Sequence, residues 1–383
     1  MAVSSQAFAT GKSSALPPPN LRPARFDDYA QIARLEKTHG LESQPLEDWK
    51  GIWTGNPIWQ RLGENWPIGW VLEDNAGRIV GSMMNVPSLY KYCGRDFISA
   101  NGRGWVVSPD YRGVALWLMG EYFNQQNAEL FINTTVGPLA QQTFGQLASR
   151  VPAGDWQTIA YWITGYRGFA EKSLQSFGIP ARQLLSYPAG AALWVKDALS
   201  TKALPDAPKA VAIGRAEHFD DRFDAFWEEL VRQNPHKLLA ARDSRSLSWH
   251  YAIPMRRKRL WIFTASRGES LRAYCVVKRH DEPNGLRNRM RLVDYQSLET
   301  DVDLLPALLK TSLERCTVEK MFVLEHLGYG LPKMKAFDGL APHRKKLDYW
   351  PFYYYAADPQ INSQLASTDV WDPSVFDGDA SFE

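Results

Sequence analysis

Apolar positions along the chain follow two rhythms, one recurring every three or four residues and one alternating or running continuously over short stretches. In "FDDYAQIARLEKTHG", Tyr29, Ile32, Ala33 and Leu35 recur at helical spacing behind Asp27 and Asp28, which suit a helix N-terminus, and Gly40 suits its end. "IGWVLEDNAGRIVGSMMNVPSLYKY" then reads as two strands about a turn at "EDNAG". A third strand is expected from Ile98 to Val107, followed by a helix opening in "SPDYRGVALWL", a strand in "ELFINTTV" and a helix in "GPLAQQTFGQLASRVP" that stops near Pro152.

The same order begins again past residue 209. Phe219, Phe223, Phe226, Trp227 and Leu230 line one side of a helix in "HFDDRFDAFWEELVRQN". The strands "RLWIFTAS", "SLRAYCVVKRH" and "RMRLVDYQSL", the helix "LLPALLKTSLERC" and the strand "KMFVLEH" follow. Helix, hairpin strands, strand, helix, strand occur twice, which predicts an internal duplication of an α+β domain. The expected division is a disordered leader over 1–20, a first domain over 21–200, a Pro-containing linker over 201–209, a second domain over 210–356 and an acidic tail over 357–383. The tail is expected to be disordered unless Trp371 and Phe376 dock it back on the domains.

Composition narrows the function classes. With 44 Lys plus Arg against 42 Asp plus Glu, the net charge of +2 offers no general attraction to a polyanion, so no nucleic-acid partner is expected. Neither a secretory signal nor a membrane span is read, and the expected location is the cytoplasm. Cys93, Cys275 and Cys316 are widely spaced and are expected to be buried thiols. The seven histidines show no paired-ligand spacing, so no metal is expected. Trp49, Trp53, Trp59, Trp66 and Trp70 are expected to pack rather than to stack on a sugar, and the basic runs "MRRKRL" and "HRKKL" are read as solvated faces.

The chemistry concentrates in "SPDYRGVALWL", where a strand enters a helix through a glycine-containing turn. Such a junction leaves helical N–H groups without intrahelical partners, at the positive end of the helix dipole, and these suit phosphate. Gly113 lets backbone approach a ligand, Ala115 keeps the surface low, and Arg112 adds a positive charge. In the second half the corresponding junction, "LVDYQSLETDVDLLPALL", has no Arg-Gly pair and places Glu299, Asp301 and Asp303 at the helix start, where they would repel a phosphate.

With Val107, Pro109, Tyr111, Arg112 and Gly113 in the order V-x-P-x-Y-R-G, the stretch resembles the acyl-CoA loop of the GCN5-related N-acetyltransferase superfamily. The resemblance implies two such domains in tandem, each a mixed, mostly antiparallel sheet flanked by helices. It implies an acyl-CoA-dependent N-acyltransferase, with acetyl-CoA or another acyl-CoA as co-substrate and a small-molecule or peptide amine as acceptor. Val107, Arg112, Gly113, Val114, Ala115, Leu116 and Trp117 would hold the pyrophosphate end, with pantetheine between the strand ending near Val107 and "LFINTTV", close to Asn133. The glycines usual after Arg-Gly are replaced by Val114, Ala115 and Leu116. The strand "SANGRGWVV" lacks the family's usual Glu, and Phe144 stands where a tyrosine acid is usual.

The candidates for the missing acid and base are therefore Tyr111, Tyr161 and Glu325, with Asn133 and His326 as further polar groups. Two other readings stand beside this one. A FemABX-like aminoacyl transferase would take its acyl group from a charged tRNA, and a non-catalytic protein of this fold would only bind a partner.

Overall fold

The structure is a computed structural model that describes residues 16–200, 203–280, 288–329, 340–347 and 351–380. Most of the expected leader and the first two linker residues lie outside these. The strands are β1 (Asn20–Pro23), β2 (Gly69–Glu73), β3 (Ile79–Tyr92), β4 (Arg95–Val107), β5 (Leu130–Asn133), β6 (Ser149–Arg150), β7 (Asp155–Ile163) and β8 (Ala212–Ala216). They continue as β9 (Leu239–Ala240), β10 (Leu260–Arg267), β11 (Ser270–Arg279), β12 (Arg289–Ser297), β13 (Val323–Tyr329), β14 (His343–Lys346) and β15 (Tyr353–Ala356). The helices of the first half are α1 (Tyr29–Thr38), α2 (Leu46–Thr54), α3 (Pro57–Leu62), α4 (Ala115–Asn124), α5 (Pro138–Leu147), α6 (Tyr166–Ser176) and α7 (Arg182–Ser200). Those of the second are α8 (Asp221–Gln233), α9 (Ser244–His250), α10 (Ala252–Arg256), α11 (Leu304–Val318) and α12 (Pro359–Gln364).

Two mixed sheets carry the fold. One runs in the order β1-β2-β3-β4-β5-β15-β6 with β9 on β3, and the other in the order β14-β7-β13-β12-β11-β10-β8. Each contains one parallel neighbour pair closed by a helical crossover: β4 and β5 through α4, and β12 and β13 through α11. Parallel neighbours need such a crossover, whereas the antiparallel hairpins on either side need only turns. A short 3-10 turn precedes both crossover helices, over Pro109–Val114 in the first and Glu299–Asp301 in the second. The duplication read from the element order is thus present in the topology.

The last strand of each repeat is exchanged. β7, from the first half, pairs antiparallel with β13 of the second, while β15, from the end of the second, pairs antiparallel with β5 of the first. Each parallel pair is therefore flanked by a strand from the other half of the chain.

By compactness the chain divides into a smaller unit, 1–44 with 67–84 and 104–124, and a larger one, 45–66 with 85–103 and 125–383. β3 and β4 run through both. In the smaller unit, Ile32 and Leu35 of α1 and Leu118, Met119 and Tyr122 of α4 are buried, and the β2–β3 turn is fixed by Asp74, whose Oδ1 accepts from the N–H groups of Ala76 and Arg78. In the larger unit the apolar face of α8 buries Phe223, Phe226, Trp227 and Leu230, capped by Asp220, which accepts from the Arg222 N–H. Trp49, Trp53 and Trp66 are also buried there, and the indole N–H groups of Trp53 and Trp66 both donate to the Asn85 carbonyl, at 2.8 and 3.3 Å.

Two expectations change. Cys275 and Cys316 are buried and burial pushes both thiols up to about 12, but Cys93 is exposed, because it sits with positive φ at the tip of the β3–β4 hairpin beside Gly94. The described part of the tail is ordered rather than free: Val370, Trp371, Val375, Phe376 and Ala380 are all buried in the core of the larger unit.

A fully buried ion cluster fastens this tail. Arg242 Nε donates to Asp294 at 3.1 Å, and its Nη2 donates to Ser374 Oγ at 3.2 Å and to Asp377 at 3.5 Å, with the guanidinium 4.6 Å above the Phe376 ring. Tyr274 donates to Asp294 at 2.8 Å, and Tyr90 donates to Asp377 at 3.1 Å. Packing the tail without Arg242 would leave two carboxylates, Asp294 and Asp377, desolvated and unbalanced.

Candidate active site

In the smaller unit, β4 ends at Val107 and the chain turns at Ser108, whose N–H donates to the Val80 carbonyl at 2.8 Å. Pro109, locked near a helical φ, opens the 3-10 turn, and Tyr111 N–H closes on the Ser108 carbonyl at 2.9 Å. Arg112 and Gly113 lie in that turn, not in the helix proper, and α4 starts at Ala115. The Tyr111 ring is buried, whereas Arg112 and Gly113 are exposed and Val114 and Ala115 half-buried. Leu116 and Trp117 are 58% and 42% exposed, and a Cβ added to Gly113 would meet nothing within 4 Å. The loop thus presents a charged, glycine-bearing surface held from behind by the Tyr111 ring.

The smaller unit also supplies a carboxylate to the strand that lacks one. Gly104 of β4 has φ +61, and a Cβ there would lie 2.6 Å from Glu36 Oε1 of α1. Glu36 is buried and accepts from the Ser43 hydroxyl at 3.1 Å.

In the larger unit, the β4–β5 pairing runs Ser99↔Leu130, Ala100↔Phe131 and Asn101↔Ile132 and goes no further, although β4 continues. Asn133 is the first β5 residue past the last pair, is buried, and stands opposite Tyr353 of β15. The tail crosses immediately beyond it. Thr134 and Thr135 donate their hydroxyls to Asp379, at 2.9 and 2.5 Å, and Thr134 Oγ1 accepts from the N–H groups of Asp379 and Ala380 at 3.2 Å. Gly378 makes this approach possible: its φ is +70, and a Cβ there would fall 2.6 Å from Thr134 Oγ1. Burial raises the Asp379 carboxyl above the usual carboxylate range, opposed by the Thr135 hydrogen bond and the Arg103 charge.

A narrow pocket of about 20 Å³ adjoins this point, lined among others by Ser88, Tyr90, Asn101, Trp249, His250, Phe376 and Gly378. Asn101 Nδ2 donates to the Val86 carbonyl and to Ser88 Oγ, each at 2.8 Å. Burial holds the His250 imidazole down at about 3, so it is neutral at physiological pH.

Phe144 of α5 is buried 5.8 Å from the ring of Tyr353, whose hydroxyl donates to the Gln141 carbonyl at 3.3 Å. A tyrosine therefore does reach α5, delivered by the exchanged strand rather than by the helix.

Tyr161 and Glu325 lie on the other sheet, directly opposite one another in the β7–β13 register. Glu325 is buried between Arg291, at 2.6 Å, and Arg289, at 3.1 Å. Tyr161 stacks on His343 at 4.9 Å, and burial with the nearby Asp197 charge raises its phenol. His326 is buried with its ring 5.1 Å from Tyr295. At the second junction Asp301 is buried and held by Arg272 at 2.6 Å and Arg267 at 3.0 Å. Sequence spacing gave no sign of Glu36, Asp379 or Tyr353, since each reaches its position from a distant segment.

No family model matches the chain, and no curated protein matches it in sequence. Solved structures match its fold. A probable N-acyltransferase from Enterococcus faecalis superposes with a TM-score of 0.55 at 10% identity, covering 90% of this chain and 74% of its own. A GCN5-related N-acetyltransferase from Kribbella flavida gives 0.53 at 12% identity, covering 88% and 71%. The N-myristoyltransferase of Saccharomyces cerevisiae, with bound myristoyl-CoA and inhibitors, gives 0.53 at 12% identity, covering 90% and 82%. The chain has the GCN5-related N-acetyltransferase fold. It carries that fold in the two-domain tandem form that the duplicated crossovers define.

Proposed function

We propose that the protein is an acyl-CoA-dependent N-acyltransferase. The observation that carries this reading is the end of the β4–β5 pairing at Asn101↔Ile132, with β4 continuing and a buried carboxylate, Asp379, docked on the residues that follow β5. A strand edge released in this way offers main-chain groups to the amides of pantetheine. We assign the pyrophosphate to the exposed turn and helix start over Arg112–Trp117, with Val107 leading into it. Asn133 is assigned to the thioester carbonyl.

In this reading Asp379 takes a proton from the acceptor ammonium. The free amine attacks the thioester carbon, the C–S bond breaks as the C–N bond forms, and the CoA thiolate leaves with a proton from the Tyr353 hydroxyl. The first ammonium proton ends on Asp379, and the second nitrogen proton, lost as the tetrahedral adduct collapses to the amide, returns to the Tyr353 oxygen. Tyr111 then serves as a packed support for the loop, and Tyr161 and Glu325 as parts of the second sheet. The acceptor is an amine on a small molecule or peptide. The linear division at 201–209 is kept as our proposal for where one repeat ends and the next begins.

Calorimetric titration with acetyl-CoA, a long-chain acyl-CoA and free CoA tests the reading. Micromolar binding that disappears in Arg112→Glu and in Gly113→Asp is expected. Because Gly113 faces open space, loss of binding in the aspartate variant reports on the ligand and not on the fold. Binding unchanged by both substitutions, or absent for all three ligands, overturns the proposal.

A further inference from the structure

The two helices that follow β7 are arranged inside out. α6 lies on the second sheet because Gly165 and Gly168 admit the Phe322 ring: a Cβ on Gly168 would lie 2.4 Å from it. α7 packs on α6 through a narrow stripe of Ser186, Gly190 and Asp197. At Gly190 an added Cβ would be 3.0 Å from the Arg167 backbone, and Asp197 accepts from the Tyr166 hydroxyl at 3.1 Å. The small and polar residues thus face inward.

The large apolar residues face outward. Leu184, Trp194 and Leu199 are 74%, 58% and 84% exposed, and Leu185, Tyr187 and Val195 are exposed with them. Phe177, in the turn between the helices, is 80% exposed. A surface helix ordinarily turns its apolar stripe to the core, and a contiguous exposed patch of this kind marks an interaction surface.

Charge selects the occupant. Between residues 177 and 200 the exposed charges are Arg182 and Lys196, while the single acid, Asp197, is buried against Tyr166 and His343. His343 opens β14, the edge strand of that sheet, and its ring nitrogen lies 2.9 Å from Asp197, which sets β14 beside α7. Arg344, Lys345 and Lys346 of β14 are exposed, and Lys345 shares the face of His343. On the face shared with α7, Arg182, Lys196 and Lys345 are thus exposed, with no exposed carboxylate in residues 177–200 or 343–346. A second copy across a two-fold axis would set this basic fringe against itself. An anionic lipid layer accepts both components, with Leu and Trp at the acyl boundary and Lys and Arg at the phosphates.

We propose that α7 and β14 form a docking surface for anionic membrane lipid, with α7 lying in the interfacial plane. Among the described residues no helix is long and apolar enough to cross a membrane, which fits a helix that lies on the bilayer and does not span it. This proposal is independent of the acyltransferase reading.

The test is flotation of the full chain with vesicles of phosphatidylcholine alone and of phosphatidylcholine with phosphatidylserine. Binding to the phosphatidylserine vesicles that weakens with salt is expected. Lys196→Gln with Lys345→Gln should weaken it about thirtyfold, and Trp194→Glu with Leu199→Glu about tenfold or more. These side chains are exposed, and an unchanged melting curve confirms that the variants fold. As a second measure, brominated lipid should quench tryptophan fluorescence, and Trp194→Phe should remove part of that quenching. Absence of flotation, or flotation that neither pair of substitutions weakens, overturns the proposal. So does a vesicle-free dimer that Leu199→Glu converts to a monomer, which would make the occupant a second copy.

Discussion

The Thr134 hydroxyl donates to the Asp379 carboxylate at 2.9 Å across 245 residues of sequence, joining the tail to the end of β5. Burial raises that carboxyl above the usual range, so the folded state holds its proton more readily than the unfolded chain does. Ionised Asp379 therefore costs stability at neutral pH, and protonation as pH falls relieves the cost. Asp379→Asn should therefore keep or raise the melting temperature at neutral pH while lowering turnover by about a hundredfold or more. Thermal melting and a thiol-release assay on the same preparation check both. Unchanged turnover would remove Asp379 from the chemistry.

Gly378 is where this approach is closest. Gly378→Ala adds a methyl 2.6 Å from Thr134 Oγ1 at φ +70, whereas Gly40→Ala, at φ +80, meets nothing within 4 Å. Backbone strain alone costs roughly 1 kcal/mol or more at either position. Urea unfolding should show Gly378→Ala to be the more destabilising of the two by at least about 1 kcal/mol, the share due to the Thr134 contact.

Arg242 is the cation between two buried carboxylates, Asp294 and Asp377. Arg242→Leu fills similar space but leaves both carboxylates desolvated and unbalanced, so about 3–5 kcal/mol of stability should be lost. Limited proteolysis should then cleave first near Ser374 and Asp377, because these residues lose the partner that fastens the tail. Cleavage elsewhere first would show that the cluster does not hold this segment.

His250 gives the acid limb of stability a specific origin. Burial holds its imidazole near 3 against an ordinary 6.5, so only the unfolded chain takes up a proton between those values. Stability should fall as pH drops from 6.5 toward 3, by up to about 1.4 kcal/mol per pH unit from this group. Urea unfolding at several pH values should show a shallower slope in His250→Phe, whose ring suits a site 4.3 Å from Phe376. An unchanged slope would place the acid sensitivity elsewhere.

Much of the fold was legible because its signals are local. The apolar face of α8, the turn at "EDNAG" and the repeated strand–helix–strand order depend on residues a few positions apart. The loop at Arg112 and Gly113 was legible for the same reason, since a strand, a proline and a glycine within seven residues define it.

Local patterning specifies the kinds of element, their duplicated order and the exposed loop. Only long-range packing selects which strands exchange and which carboxylates come to the end of β5. The β5–β15 and β7–β13 pairs join segments far apart along the chain, and antiparallel pairing over such distances is chosen by what the two sheets can bury together, not by any local pattern. Asp379 and Tyr353 come to β5 on those long-range pairings, and the outward turn of Leu184 and Leu199 follows from Gly190 and Ser186 being small enough to pack on α6. Periodicity marks which residues share a face, but only packing decides which face the core receives.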